Sequence, residues 1–385
     1  MNAAFERRSP WLLVRRVFVG FDGPLFAAVL MLATVGLVAM YSAGFDHGTR
    51  FVDHGRNMLL ALAVLFLVSQ VPPQKLQKLA VPLYLFGLAL LVATAMFGLT
   101  RKGATRWLAL GPLVIQPSEI LKIAMPLMLA WWFQKREGQL QVMDFVIAAV
   151  LVLVPVAIVA KQPDLGTALL ILASGFYVIF FAGLTWKLVL PALLLVAIGI
   201  AAVVLAGDAI CEPDVQWPIL REYQRHRICT LLDPTRDPLG KGFHIIQGMI
   251  AIGSGGLSGK GFMQGTQTHL EFIPERTTDF IFAAFSEEFG LAGVLVLLVA
   301  FTFLIFRGLV IASDAPTVFT RLLAGAVTLS FFTYAFVNMG MVSGILPVVG
   351  VPLPFVSYGG TAMVSLGLGL GILMSVSRSR RLMQS

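Results

Sequence analysis

The chain has 385 residues, of which 58% are apolar and only 12% charged, with a mean hydropathy of +0.87. A soluble domain carries about a quarter charged residues, so this composition excludes an ordinary water-soluble enzyme. The net charge of +8 would suggest a nucleic-acid partner in a soluble chain, but here the basic residues punctuate long apolar runs and read as membrane topology.

A membrane-spanning helix needs about 20 mainly apolar residues. Taken in chain order, such runs fall at 21–43, 56–70, 76–99, 118–134, 143–160, 165–183, 186–207, 279–308, 318–344 and 355–377. Ten spans predict an all-α polytopic integral membrane protein, organised as one membrane domain over 1–385. Pro and Gly inside several runs are tolerated because neighbouring helices satisfy the freed backbone groups. The basic N-terminus followed by an apolar run resembles a secretory signal, but the run is too long and nine more follow, so it reads as an uncleaved first helix.

Lys and Arg set the orientation, being enriched in short cytoplasmic loops. With the N-terminus inside, the inner segments hold 14 of them, from Arg7, Arg8, Arg15 and Arg16 to Arg380 and Arg381, and the short outer loops hold six. Both termini are therefore expected in the cytoplasm. The connection 208–278 breaks the pattern, with 71 residues and seven further basic side chains on the outer face. Long loops translocate regardless of charge, and one of this length in a compact protein is usually functional. Its stretch 243–252 is apolar with His244, Gln247 and Gly248 interspersed, which predicts a short amphipathic helix at the interface. Cys211 and Cys229 both fall in this loop and either pair or stay free; without paired histidines they do not make a zinc site.

Ionisable groups at membrane depth are costly and mark function. Glu119 and Lys122 stand at i and i+3 on one helix face. Asp164 lies in the tight outer turn after the fifth span, and Asp279 opens the eighth, with Ser286, Glu287 and Glu288 below it. All fall in the outer half. The structural alternatives are a self-neutralising pair for Glu119 and Lys122 and helix N-caps for Asp164 and Asp279. An outward cavity lined by these carboxylates and fringed by Arg101, Lys102, Arg106 and Arg276 suits a diphosphate lipid: cations hold phosphates, and a carboxylate accepts a proton or binds a divalent metal such as Mg or Mn. Gly253 to Gly261 is not a phosphate loop, because Ser254 replaces the first required glycine and Gly261 the hydroxyl residue, so no nucleotide is expected. Gly367 and Gly371, four apart in the last run, predict close helix packing.

The run Gly344-Ile-Leu-Pro-Val-Val-Gly-Val-Pro-Leu-Pro-Phe-Val-Ser-Tyr-Gly-Gly360, preceded by Asn338 and Met341, resembles the signature of the SEDS family (shape, elongation, division and sporulation proteins). Further matches are Gln116-Pro-Ser-Glu-Ile-Leu-Lys122, Gln162-Pro-Asp-Leu-Gly-Thr167, Asp237-Pro-Leu-Gly-Lys-Gly-Phe-His-Ile-Ile-Gln247 and Pro274-Glu-Arg-Thr-Thr-Asp-Phe-Ile-Phe282. The outer loop looks most like that of the elongation branch. The resemblance implies ten helices and a peptidoglycan glycosyltransferase that polymerises lipid II, an undecaprenyl-diphosphate disaccharide-pentapeptide. By motif it implies Asp279 as the essential aspartate, with Glu119, Lys122, Asp164 and the signature residue Ser357 in the substrate site. It also implies a class B penicillin-binding protein as partner and assemblies with MreB, in the bacterial inner membrane. A lipid II transporter is the rival reading, but alternating access places ionisable groups near the midplane, and no inverted repeat is visible.

Overall fold

The structure is a computed structural model that describes residues 21–46, 48–101, 104–110, 113–212, 215, 222–237 and 240–384. Helices α1 (Gly23–Ala43), α2 (Arg50–Ser69) and α3 (Pro73–Phe97) are followed by strands β1 (Leu99–Arg101), β2 (Ala104–Leu110) and β3 (Leu113–Ile115). Then come α4 (Pro117–Lys135), α5 (Val142–Lys161), α6 (Leu165–Phe181) and α7 (Trp186–Leu205). The long loop contains α8 (Glu222–Leu232) and α9 (Lys241–Ser254), and α10 (Ile281–Ser313), α11 (Val318–Val342) and α12 (Gly360–Gln384) complete the chain. Among the described residues, eight of these helices are long and apolar enough to cross a membrane. With the more polar α4 and the 17-residue α6, helices occupy all ten expected positions. The protein is multi-pass.

Two helix starts differ from expectation for local reasons. Helix α2 begins at Arg50 rather than 56 because its polar first turns project beyond the apolar zone, where Arg56 pairs with Asp53 at 3.2 Å. Helix α12 begins at Gly360, since Pro347, Pro352 and Pro354 forbid helix in the segment before it. That segment is nonetheless core, with Val351, Leu353, Phe355 and Val356 buried. The short connection before α4 is an antiparallel sheet in the order β1-β2-β3. The predicted amphipathic helix is α9, and the two cysteines pair as a disulfide.

Helix α11 is the hub: it packs against α4, α6, α10 and α12, and 72% of its apolar window is buried. The expected close packing of the last span is with α2, where a Cβ at Gly367 would overlap the Ala61 carbonyl and one at Gly371 would come 2.8 Å from that of Leu65. Opposite the loop, the buried Asp22 caps α1 through Leu25 N–H and takes two hydrogen bonds from Arg307, at 2.7 and 3.0 Å, and one from Ser377. Three helices thus meet at one satisfied charge. Helix α7 stands outside this core, with 6% of its window buried. In lipid an exposed apolar side chain carries no hydration penalty, so α7 needs no packing to persist.

Candidate active site

Helix α11 brings together two parts of the chain more than 150 residues apart. Tyr334 accepts a hydrogen bond from Lys122 Nζ at 2.9 Å, and its ring lies 5.3 Å from the same ammonium. One turn further on, Asn338 Nδ2 donates to the carbonyl oxygens of Asp279 (3.0 Å) and Val351 (2.7 Å). Residues i and i+4 share a helix face about 6 Å apart, so Lys122 and the Asp279 backbone are fastened to adjacent turns of one rigid element. The remainder of the Lys122 cluster is Glu119, at 2.6 Å from Nζ and itself receiving a hydrogen bond from Ser365 on α12 at 2.9 Å. Lys122 also lines a cavity of about 30 Å³ shared with Ser174, Ser330 and Ser365.

Asp164 closes the site from the side. Its carboxylate caps α6 through Thr167 N–H at 3.3 Å, accepts from Gln116 Nε2 at 3.3 Å and lies 3.7 Å from Arg106 Nε. Asp164 is thus the N-cap that one of the two readings expected, and the same carboxylate also meets Gln116 and Arg106. Arg106 arrives on β2 and donates to the Pro163 carbonyl at 2.6 Å. The corner after Asp164 meets the 349–351 segment: a Cβ at Gly166 would come 2.7 Å from the Val349 carbonyl. That segment in turn carries Gly350, whose φ of +74° suits glycine and whose absent Cβ would lie 3.3 Å from Asp279 Oδ2. Replacing Gly350 with Ala should strain this backbone and crowd the carboxylate. The expected result is a fall in kcat of about ten-fold or more at nearly unchanged thermal stability, since such strain costs only about 1–3 kcal/mol.

Four expected members of the site are placed elsewhere or are not described. Arg276 is buried against the end of α1, paired with Asp46 at 2.5 Å, donating to the Ala43 carbonyl and lying over the Phe45 ring. These partners consume it in holding the loop, so it does not fringe the pocket. Ser357 is likewise buried: it donates to the Thr278 carbonyl at 2.7 Å and accepts from Leu353 N–H at 2.8 Å. It clamps the residue before Asp279 instead of facing a substrate. Arg50 adds to this clamp by donating to Thr277 Oγ1 while lying over the Tyr358 ring. The Arg101 side chain and all of Lys102 lie outside the described residues.

Glu287 and Glu288 also leave the cluster. Glu287 is enclosed by Lys260 Nζ and by the backbone N–H groups of Gln267 and Thr268, and Glu288 accepts from Ser42 on α1. Glu287 anchors the loop to α10, and Glu288 ties α10 to α1. Tyr334 escaped the sequence reading altogether, because one tyrosine in an apolar run looks like core. Its spacing of four from Asn338 was the available signal.

The whole chain, compared with known proteins, matches the FTSW_RODA_SPOVE family, described as a cell cycle protein, over residues 24–382. The chain belongs to this family. FtsW/RodA/SpoVE relatives include the peptidoglycan glycosyltransferase MrdB of Escherichia coli (strain K12), 46% identical over 366 residues that cover 95% of each chain. A chain from a structure titled for the coordination of polymerization and crosslinking by a peptidoglycan synthase complex superposes with a TM-score of 0.76 at 34% identity. That match covers 94% of this chain and 98% of the other. The crystal structure of Thermus thermophilus rod shape determining protein RodA gives 0.68 at 29% identity, covering 94% and 97%. Among the described residues, no group of three or more His, Cys, Asp or Glu side chains is arranged to hold a metal.

Proposed function

We propose that this chain is a peptidoglycan glycosyltransferase that polymerises lipid II into glycan strands for cell-wall elongation. The observation that carries the reading is the attachment of the Lys122 ammonium and of the Asp279 backbone to side chains one turn apart on α11, which brings a cation and the segment bearing a carboxylate to one region of the fold. Transfer from an α-linked diphosphate to a β-linked chain inverts the anomeric carbon, so a single displacement suffices. The acceptor hydroxyl attacks C1, its proton passes to the Asp279 carboxylate, and the C1–oxygen bond to the diphosphate breaks. The departing charge is met by Arg106 at the mouth and by Lys122, two of whose three N–H donors are held by Glu119 and Tyr334 while the third is left for a phosphate oxygen.

A bound divalent cation would supply further neutralisation of the diphosphate, and the roles given to these side chains do not pass through it. Polymerisation with and without chelator tests that expectation. The partner is a class B penicillin-binding protein that crosslinks the strands, within an elongation assembly that includes MreB. The excess of inner Lys and Arg supports both termini in the cytoplasm and the site on the outer face of the inner membrane. The decisive experiment reconstitutes the chain with its partner in liposomes carrying lipid II on the outer leaflet alone. Glycan product is the expected result, and lipid translocation without product would overturn the reading.

A further inference from the structure

Helix α8 of the outer loop presents a cation to the same cleft. Arg227 lies within electrostatic reach of Arg106, Asp164 and Asp279, and its guanidinium sits 5.9 Å from the centre of the Tyr223 ring. Tyr223 in turn donates to the Ala160 carbonyl at the end of α5, and the Cys211–Cys229 disulfide ties α8 to the end of α7 two residues beyond Arg227. The side chain is thus held in place by three elements. Its Nη1 is nevertheless buried without a hydrogen-bond partner, and so is Nε of Arg106.

Burial and the repulsion of the nearby Arg106 charge together push the Arg227 guanidinium down from its usual range. A buried donor without a hydrogen-bond partner on each calls for an oxygen-rich anion reaching both. A planar fork matches two oxygens of one phosphoryl group, so two forks from separate elements suit two linked phosphoryl groups. We propose that Arg227 and Arg106 together grip the diphosphate of a lipid-linked substrate, which makes Arg227 a specificity-determining residue for diphosphate over monophosphate. The inference rests on the glycosyltransferase reading only for the source of that diphosphate.

The test measures binding and needs no polymerisation. The full chain in nanodiscs is titrated with undecaprenyl diphosphate, undecaprenyl monophosphate and inorganic pyrophosphate. Wild type should prefer the diphosphate lipid, and Arg227→Ala should weaken it about 10- to 100-fold while changing the monophosphate less than about three-fold. Arg227→Lys keeps the charge without the fork and should recover only part of the loss; it also serves if the alanine variant does not fold. Unchanged diphosphate selectivity in a folded Arg227 variant overturns the proposal. So does pyrophosphate competing as well as the lipid, which would assign the pair to a free anion. The two readings fail separately. Glycan synthesis with Arg227-independent binding removes the clamp alone, and Arg227-dependent selectivity without any glycan removes the polymerase alone.

Discussion

Asp279→Asn is expected to abolish most glycan synthesis while lipid II still binds. The amide fills the same volume and leaves the backbone clamp intact, because Asn338, Ser357 and Tyr358 hold the main chain of residues 277–279 and not this side chain. What disappears is a carboxylate able to take the acceptor proton. Positioned base catalysis is worth about 10² to 10⁴ in rate, and the loss should fall on kcat with KM for lipid II changed little. The measurement is glycan polymerised from lipid II by the purified variant with its partner. Product at more than about a tenth of the wild-type rate would remove Asp279 from the role of base.

The second large effect concerns the buried Glu119–Lys122 pair, whose side chains are 12% and 8% exposed. Lys122→Ala leaves Glu119 with Ser365 as its one remaining partner among the described residues and strips Tyr334 of its donor. Breaking a buried pair on one side costs about 3–5 kcal/mol, because the surviving charge is left uncompensated. The single variant should therefore lose thermal stability together with activity, and by itself would not separate the two. Glu119→Gln combined with Lys122→Met removes both charges at similar volume. Such replacements are often neutral in stability, so the double variant should regain most of the wild-type melting temperature. It should stay inactive and bind lipid II poorly. A stable double variant with normal lipid II affinity would leave the pair a structural neutralisation and take Lys122 away from the diphosphate.

The amino-acid order alone determined the membrane class, the ten helix positions and the amphipathic helix of the outer loop. Those features depend on local apolar length and on periodicity, which read directly as transfer free energy. It also marked Glu119, Lys122, Asp164 and Asp279, since an ionisable residue near an apolar run is conspicuous by itself. Pairing of Cys211 with Cys229, left open by spacing alone, required the fold of the loop to bring the two together.

Tertiary structure decided how polar residues divide between chemistry and support. Arg276 and Arg227 lie in the same loop and carry the same charge, yet one is tied to Asp46 and the Ala43 carbonyl and the other lies over the Tyr223 ring, 5.9 Å from its centre. Ser357 and Glu287 fall within sequences that resemble functional motifs, but both are enclosed by main-chain partners. A side chain's role there depends on which backbone groups arrive beside it from distant segments, and nothing local in the order of residues encodes that arrival. Only the packing of α11 against α4 and against the 349–351 segment fastens Lys122 and the Asp279 backbone to side chains one helical turn apart.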